Sequence, residues 1–126
     1  MKKFEKYTGC SMGFLPEFEE MYEAEPYLYD EENPEYLHMF VVSDSIGNHF
    51  SVPYFSENFW AGVRQFENCV LTEGHIFNTH ADDFCLRYLG TFSKLNGDIC
   101  LNCRKLPIRV MFAFSVKNGK ELVENA

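Results

Sequence analysis

From His38 onward the hydrophobic positions follow two alternating periods. HMFVVSD (38–44) and HFSVPYF (49–55) read as two strands, the first a short apolar run and the second alternating. Between them, Gly47-Asn48 in SIGN suits a tight hairpin turn. In the second strand Phe50, Val52 and Tyr54 fall on one face by the period of two. Pro53 cannot donate to a ladder, so that strand is expected at an edge or interrupted. The period then lengthens: Phe59, Val63, Phe66 and Val70 form a single stripe on a helix. With Ser56 as N-cap, Glu57 in the first turn and Gly74 past the end, a helix is predicted over 57–72.

Alternation returns with Phe84, Leu86 and Tyr88 on one face and Cys85, Arg87 and Leu89 on the other. Asn96-Gly97 is a strong hairpin signal. Ile108, Val110, Phe112, Phe114 and Val116 alternate with Arg109, Met111, Ala113 and Ser115, predicting one long final strand. The expected fold is α+β in the order ββαβββ, a mainly antiparallel sheet of about five strands with one principal helix. The expected organisation is an N-terminal arm over 1–37 and a single domain over 38–126. A small sheet with an uncovered edge or face also predicts a homodimer.

The arm looks different. Residues 17–35 hold nine acids and no base, whereas residues 36–126 hold eight bases and nine acids. The net charge of -8 therefore belongs to the arm, and the body is close to neutral. Within the arm Phe18, Met21 and Tyr22 recur at roughly helical spacing, and Pro26 and Pro34 limit any helix to the part before Pro26. A solvated, partly helical extension is expected. The sharper alternative is an interaction segment in which Phe18, Glu19, Glu20 and Tyr22 engage a basic surface.

Composition adds bounds. Thirteen Phe, seven Tyr and one Trp bring aromatics to 17%, enough to dominate a core or to leave rings for binding. No apolar stretch approaches a membrane span, so no membrane association is expected. Five Cys without repeated spacing argue against a disulfide framework and for reduced thiols in a cytoplasm.

Candidate chemistry is sparse. Cys100 and Cys103 form a CxxC, with His75, His80 and Cys85 upstream, but zinc needs four convergent ligands and only one pair is present. No metal or other cofactor is expected. His80, Asp82 and Asp83 in HADD lie in a polar loop that would hold such residues in any case. No phosphate loop, HExxH pair or nucleophile elbow occurs, so nothing points to an enzyme. What remains is a basic segment. Arg87, Lys94, Arg104, Lys105 and Arg109 are interleaved with Tyr88, Phe92 and Phe112. Cations beside exposed rings are what single-stranded nucleic-acid platforms use; the bland alternative is a solvated sheet face.

Three stretches carry a family resemblance: MFVVSDSIGNHFSVPYF, AGVRQFENCV and HADDFCLRYLGTF. Together, from Met39 to about Gly97, they resemble the small nonstructural protein of gokushoviruses and related microviruses, phages with single-stranded DNA genomes. Ala81 stands where that family usually has Pro, the acidic arm before Met39 is extra, and the basic strand after Gly97 is longer than the family's typical end. The resemblance implies a nonenzymatic protein of the infected bacterium's cytoplasm, acting in genome replication or packaging by binding single-stranded DNA. It supplies no catalytic residues. The competing reading is a protein-interaction module whose acidic arm engages a basic viral or host protein or mimics DNA.

Overall fold

The structure, a computed structural model, describes residues 13–101 and 106–125. Its centre is a pair of long antiparallel strands, β1 (Tyr36–Asp44) and β4 (Phe84–Ser93), in register from Tyr36↔Ser93 to Asp44↔Phe84. The outer edge of β1 pairs with β2 (His49–Phe50) and β3 (Tyr54–Ser56). The outer edge of β4 pairs with β5 (Ile99–Leu101) and β6 (Ile108–Phe112). Each flank is thus one interrupted strand, and the sheet is antiparallel throughout.

The predicted hairpins form. Asn48 takes the positive φ of 54° that the turn between β1 and β2 requires. At Gly90 the backbone has φ 144° and the carbonyl of Cys100 lies where a Cβ would stand, so β5 can approach β4 only at a glycine. Pro53 does interrupt the edge, with a consequence not expected from the alternation. Ser43 pairs with Phe50 and Phe40 with Tyr54, so one extra residue is absorbed between β2 and β3. Such a bulge inverts the side-chain parity, and Phe50 and Tyr54 point to opposite faces.

One face is covered by helices. The principal helix, α3 (Phe59–Val70), carries the predicted stripe inward: Phe59, Val63, Phe66 and Val70 are all buried. Its N-cap is Asn58 rather than Ser56, with the Asn58 side chain accepting from Ala61 N at 3.0 Å. Gly62 brings the helix onto β1, since a Cβ there would collide with the Phe40 ring. A short α4 (Ile76–Thr79) and a 3₁₀ turn (Ala81–Asp83) then lead into β4.

Two expectations are corrected here. The long final strand ends at Phe112, and residues from Ala113 form a helix, α5 (Ala113–Asn125), whose Ala113 and Val116 join the core. The acidic arm is not a solvated extension. It forms α1 (Pro16–Ala24) and α2 (Pro26–Asp30), each opening on a proline, which the first turn of a helix accepts. Phe14, Phe18, Tyr22 and Tyr29 are buried in the same core as α3, with Phe18 stacked on Phe59 at 5.5 Å. Asp30, counted among the solvated acids, accepts from Tyr22 Oη at 2.5 Å and from Trp60 Nε1 at 2.9 Å, tying α1, α2 and α3 together.

Candidate functional site

Every described helix that packs on the core does so from one side of the sheet, because Phe40, Val42, Phe84, Leu86 and Tyr88 point to that side. Register then fixes the opposite face: Met39, Val41 and Ser43 of β1; Cys85, Arg87 and Phe92 of β4; Phe50 of β2; Phe55 of β3; Ile99 and Leu101 of β5; Arg109 and Phe112 of β6. Met39, Val41 and Cys85 form a buried floor.

Two bridges cross β1 above that floor. Phe55 and Phe92 meet edge to face, with centroids 6.2 Å apart. Arg87 reaches the other way, its guanidinium 5.7 Å from the Phe50 ring centroid and its Nε donating to Ser43 Oγ at 3.0 Å. The first bridge belongs to an apolar half of the face, completed by the exposed Ile99 and Leu101. The second belongs to a basic half, where Arg87 and Arg109 are cross-strand neighbours.

Like charges opposite one another on a sheet destabilise it unless something disperses them. Here something does. Arg87 spreads over Phe50 and also donates through Nη1 to the Pro107 carbonyl at 2.9 Å. Arg109, exposed at its side chain, donates from Nε to Glu17 Oε2 at 3.1 Å. Beside them lies a groove of about 280 Å³ whose walls carry Asp44, Asp82 and Asp83 as well as Phe50, Arg87, Arg109 and Phe112. Under it the Cys85 thiol is pushed up to about 11 by burial, drawn back by Arg87 and Arg109 and raised again by Glu17. Chemically the face offers guanidinium donors and open aromatic rings, a combination that can hold an anionic, ring-bearing ligand at the arginines, with the carboxylates of Asp44, Asp82 and Asp83 also lining the groove.

The expected site residues separate on this structure. Arg87 and Arg109 are brought together. Lys94 is not: it lies at the far end of β4, roughly 20 Å along the strand, beside Glu57 at 3.3 Å. Tyr88 is corrected. It is completely buried on the helix side, where its hydroxyl shares a 2.8 Å hydrogen bond with His38 Nδ1, so it presents no ring to a ligand. Burial holds His38 down at about 4 and pushes the Tyr88 hydroxyl up. Phe18 and Tyr22 are likewise core residues rather than arm contacts, while Glu19 is partly buried and Glu20 exposed on α1. Arg104, Lys105 and Cys103 lie outside the described residues.

Reading by period missed Phe50 and Phe55 as members of the face. Pro53 was the available signal, since a break there permits the parity change that frees Phe50. Cys100 is exposed on β5. Among the described residues no group of three or more His, Cys, Asp or Glu could hold a metal ion, and no helix is long and apolar enough to cross a membrane.

The fold and this face define a small α+β protein with one sheet surface that no described helix covers, marked by arginine. Over residues 37–116, more than half its length, the chain matches the family described as phage ORF5 protein, and it belongs to that family. It is therefore a phage protein, as the resemblance implied. No curated protein and no solved structure matches it.

Proposed function

We propose that this phage protein binds single-stranded DNA through the helix-free face of its sheet and performs no catalysis. The observation that carries this reading is the cross-strand pair Arg87 and Arg109 next to the open rings of Phe50 and Phe55. Phosphates would meet the guanidinium groups while bases stack on the rings, which is how sequence-tolerant single-strand binding is built. Asp44, Asp82 and Asp83 share the groove with the two arginines, so phosphates would have to be held at Arg87 and Arg109 themselves, away from those carboxylates. Elsewhere the acids are concentrated in α1, α2 and the turn that follows, and Glu20, Glu25, Glu31 and Glu32 are exposed there. Arg104 and Lys105 enter from the sequence as further phosphate contacts. The microvirus resemblance extends the reading to replication or packaging of a single-stranded genome in the cytoplasm of the infected bacterium.

A homodimer belongs to the same proposal. β5 is a flank strand whose Ile99 and Leu101 remain exposed, and strand edges of this kind recruit a second copy. Light scattering giving a monomeric mass would remove that part alone.

The test is fluorescence anisotropy of a labelled oligothymidylate at ~50 mM salt, where phosphate contacts are strong. Wild type binds, and the Arg104→Glu, Lys105→Glu, Arg109→Glu triple variant does not while keeping its fold. Deleting the arm is not a usable test, because it would strip Phe14, Phe18, Tyr22 and Tyr29 from the core. A second reading, docking of a basic viral or host protein, is favoured by the exposed acids of α1 and α2. It predicts that Gln at positions 20, 25, 31 and 32 abolishes activity and that the triple variant retains it.

A further inference from the structure

The acidic segment reaches the open face at one point. Pro16 opens α1, which places Glu17 in its first turn. The backbone there is fixed: Leu15 N donates to Val110 O at 2.9 Å, Phe14 bridges to Met111, and Phe14 and Phe18 on either side are buried. Glu17 is thereby held beside β6, and its carboxylate lies 3.1 Å from Arg109 Nε. A carboxylate on a guanidinium uses the same N–H donors, at the same distances, as a phosphate oxygen does.

The two arginines differ in this respect. Arg87 has Nε and Nη1 committed to Ser43 and Pro107, contacts that belong to the sheet itself. Arg109 donates instead to a side chain that can rotate away, since both partners of the pair are solvent-exposed to a third or more. Arg109 is the cation that an incoming anion can win.

We infer that Glu17 is an internal competitor, occupying on Arg109 the seat that a DNA phosphate takes on binding. This rests on the single-stranded DNA reading above and adds the device that regulates it. The carboxylate keeps Arg109 paired in the free protein, and a ligand must displace it. A polyanion held at several points along the face can do so, whereas an isolated phosphate gains little over the resident carboxylate.

The experiment is a double-mutant cycle on oligothymidylate affinity at ~50 mM salt. Glu17→Gln should lower Kd about two- to fivefold, the scale of an exposed ion pair. Arg109→Gln should raise Kd, and adding Glu17→Gln to Arg109→Gln should change nothing further. Equal tightening with and without Arg109 would reduce Glu17 to a general charge effect and overturn the inference, as would no tightening at all. A readout independent of DNA is the Arg109 Nε–Hε resonance, which should move in Glu17→Gln; an unmoved resonance also overturns it. If the resonance moves but neither wild type nor Glu17→Gln binds, it is the DNA reading that fails, and the competitor role falls with it.

Discussion

On the helix-covered side of the sheet Phe40, Leu86 and Tyr88 have no exposed surface, and Phe59 and Phe18 stack above them. On the other side Phe50 and Phe55 stay 43% and 49% exposed, although Phe55 pairs directly with the buried Met39. The same strands feed both faces, so the difference lies in what was brought to cover them. α1, α2, α3 and α5 all supply side chains to the first face, and the exposed acids, Glu20 of α1 and Glu31 and Glu32 after α2 among them, ride on the outer surface of that layer. The second face receives arginines and rings. A high aromatic content thus serves two ends, burial on one side and open π-surface on the other.

Four substitutions sharpen the comparison. The largest effects should come from the covered face. Phe66→Ala and Phe18→Ala each remove a fully packed ring and should cost about 3–5 kcal/mol in chemical denaturation. Near-wild-type stability of Phe18→Ala would return the acidic segment to a solvated arm.

Next is the buried His38. Its folded value of about 4 lies below the ordinary 6.5, so the unfolded chain binds more protons between those limits. Stability is fully present above about pH 6.5 and is lost as pH falls toward 4, by on the order of 3 kcal/mol. Denaturation midpoints measured across that window should drop for wild type and flatten in His38→Gln. A parallel fall in both proteins would mean that His38 is not held neutral.

The smallest stability change belongs to the open face. Phe55→Ala should alter folding by less than about 1 kcal/mol, as exposed positions do, yet weaken oligothymidylate binding by about 1–3 kcal/mol, the scale of a stacked base. A variant that loses stability but keeps affinity would exchange the roles of the two faces.

How much of this was legible in the sequence differs by region. The α3 stripe and both hairpins were readable because local period and turn chemistry agree with the tertiary outcome. The switch at Ala113 was not, since alternation through Phe112 continues into a run whose Ala113 and Val116 also satisfy a helix. The acidic segment misled because its charges dominate the composition, while Phe14, Phe18 and Tyr22 recur every fourth residue as a core stripe should. Phe50 was grouped with Tyr54 on one face, and a single inserted residue before β3 reverses that parity. Arg87 and Arg109 could be named as a basic cluster, but their pairing depends on the register between β4 and β6, which only the fold supplies. Glu17 as the partner of Arg109 is a contact across most of the chain and left no local trace.

The central claim is that the two faces have different jobs, and amide chemical-shift mapping tests it most directly. Isotope-labelled protein titrated with oligothymidylate should show shifts concentrated at Phe50, Phe55, Arg87, Leu101 and Arg109, with Phe18, Val63 and Val116 unmoved. Shifts confined to α1 and α2, or none at saturating oligonucleotide, would contradict it.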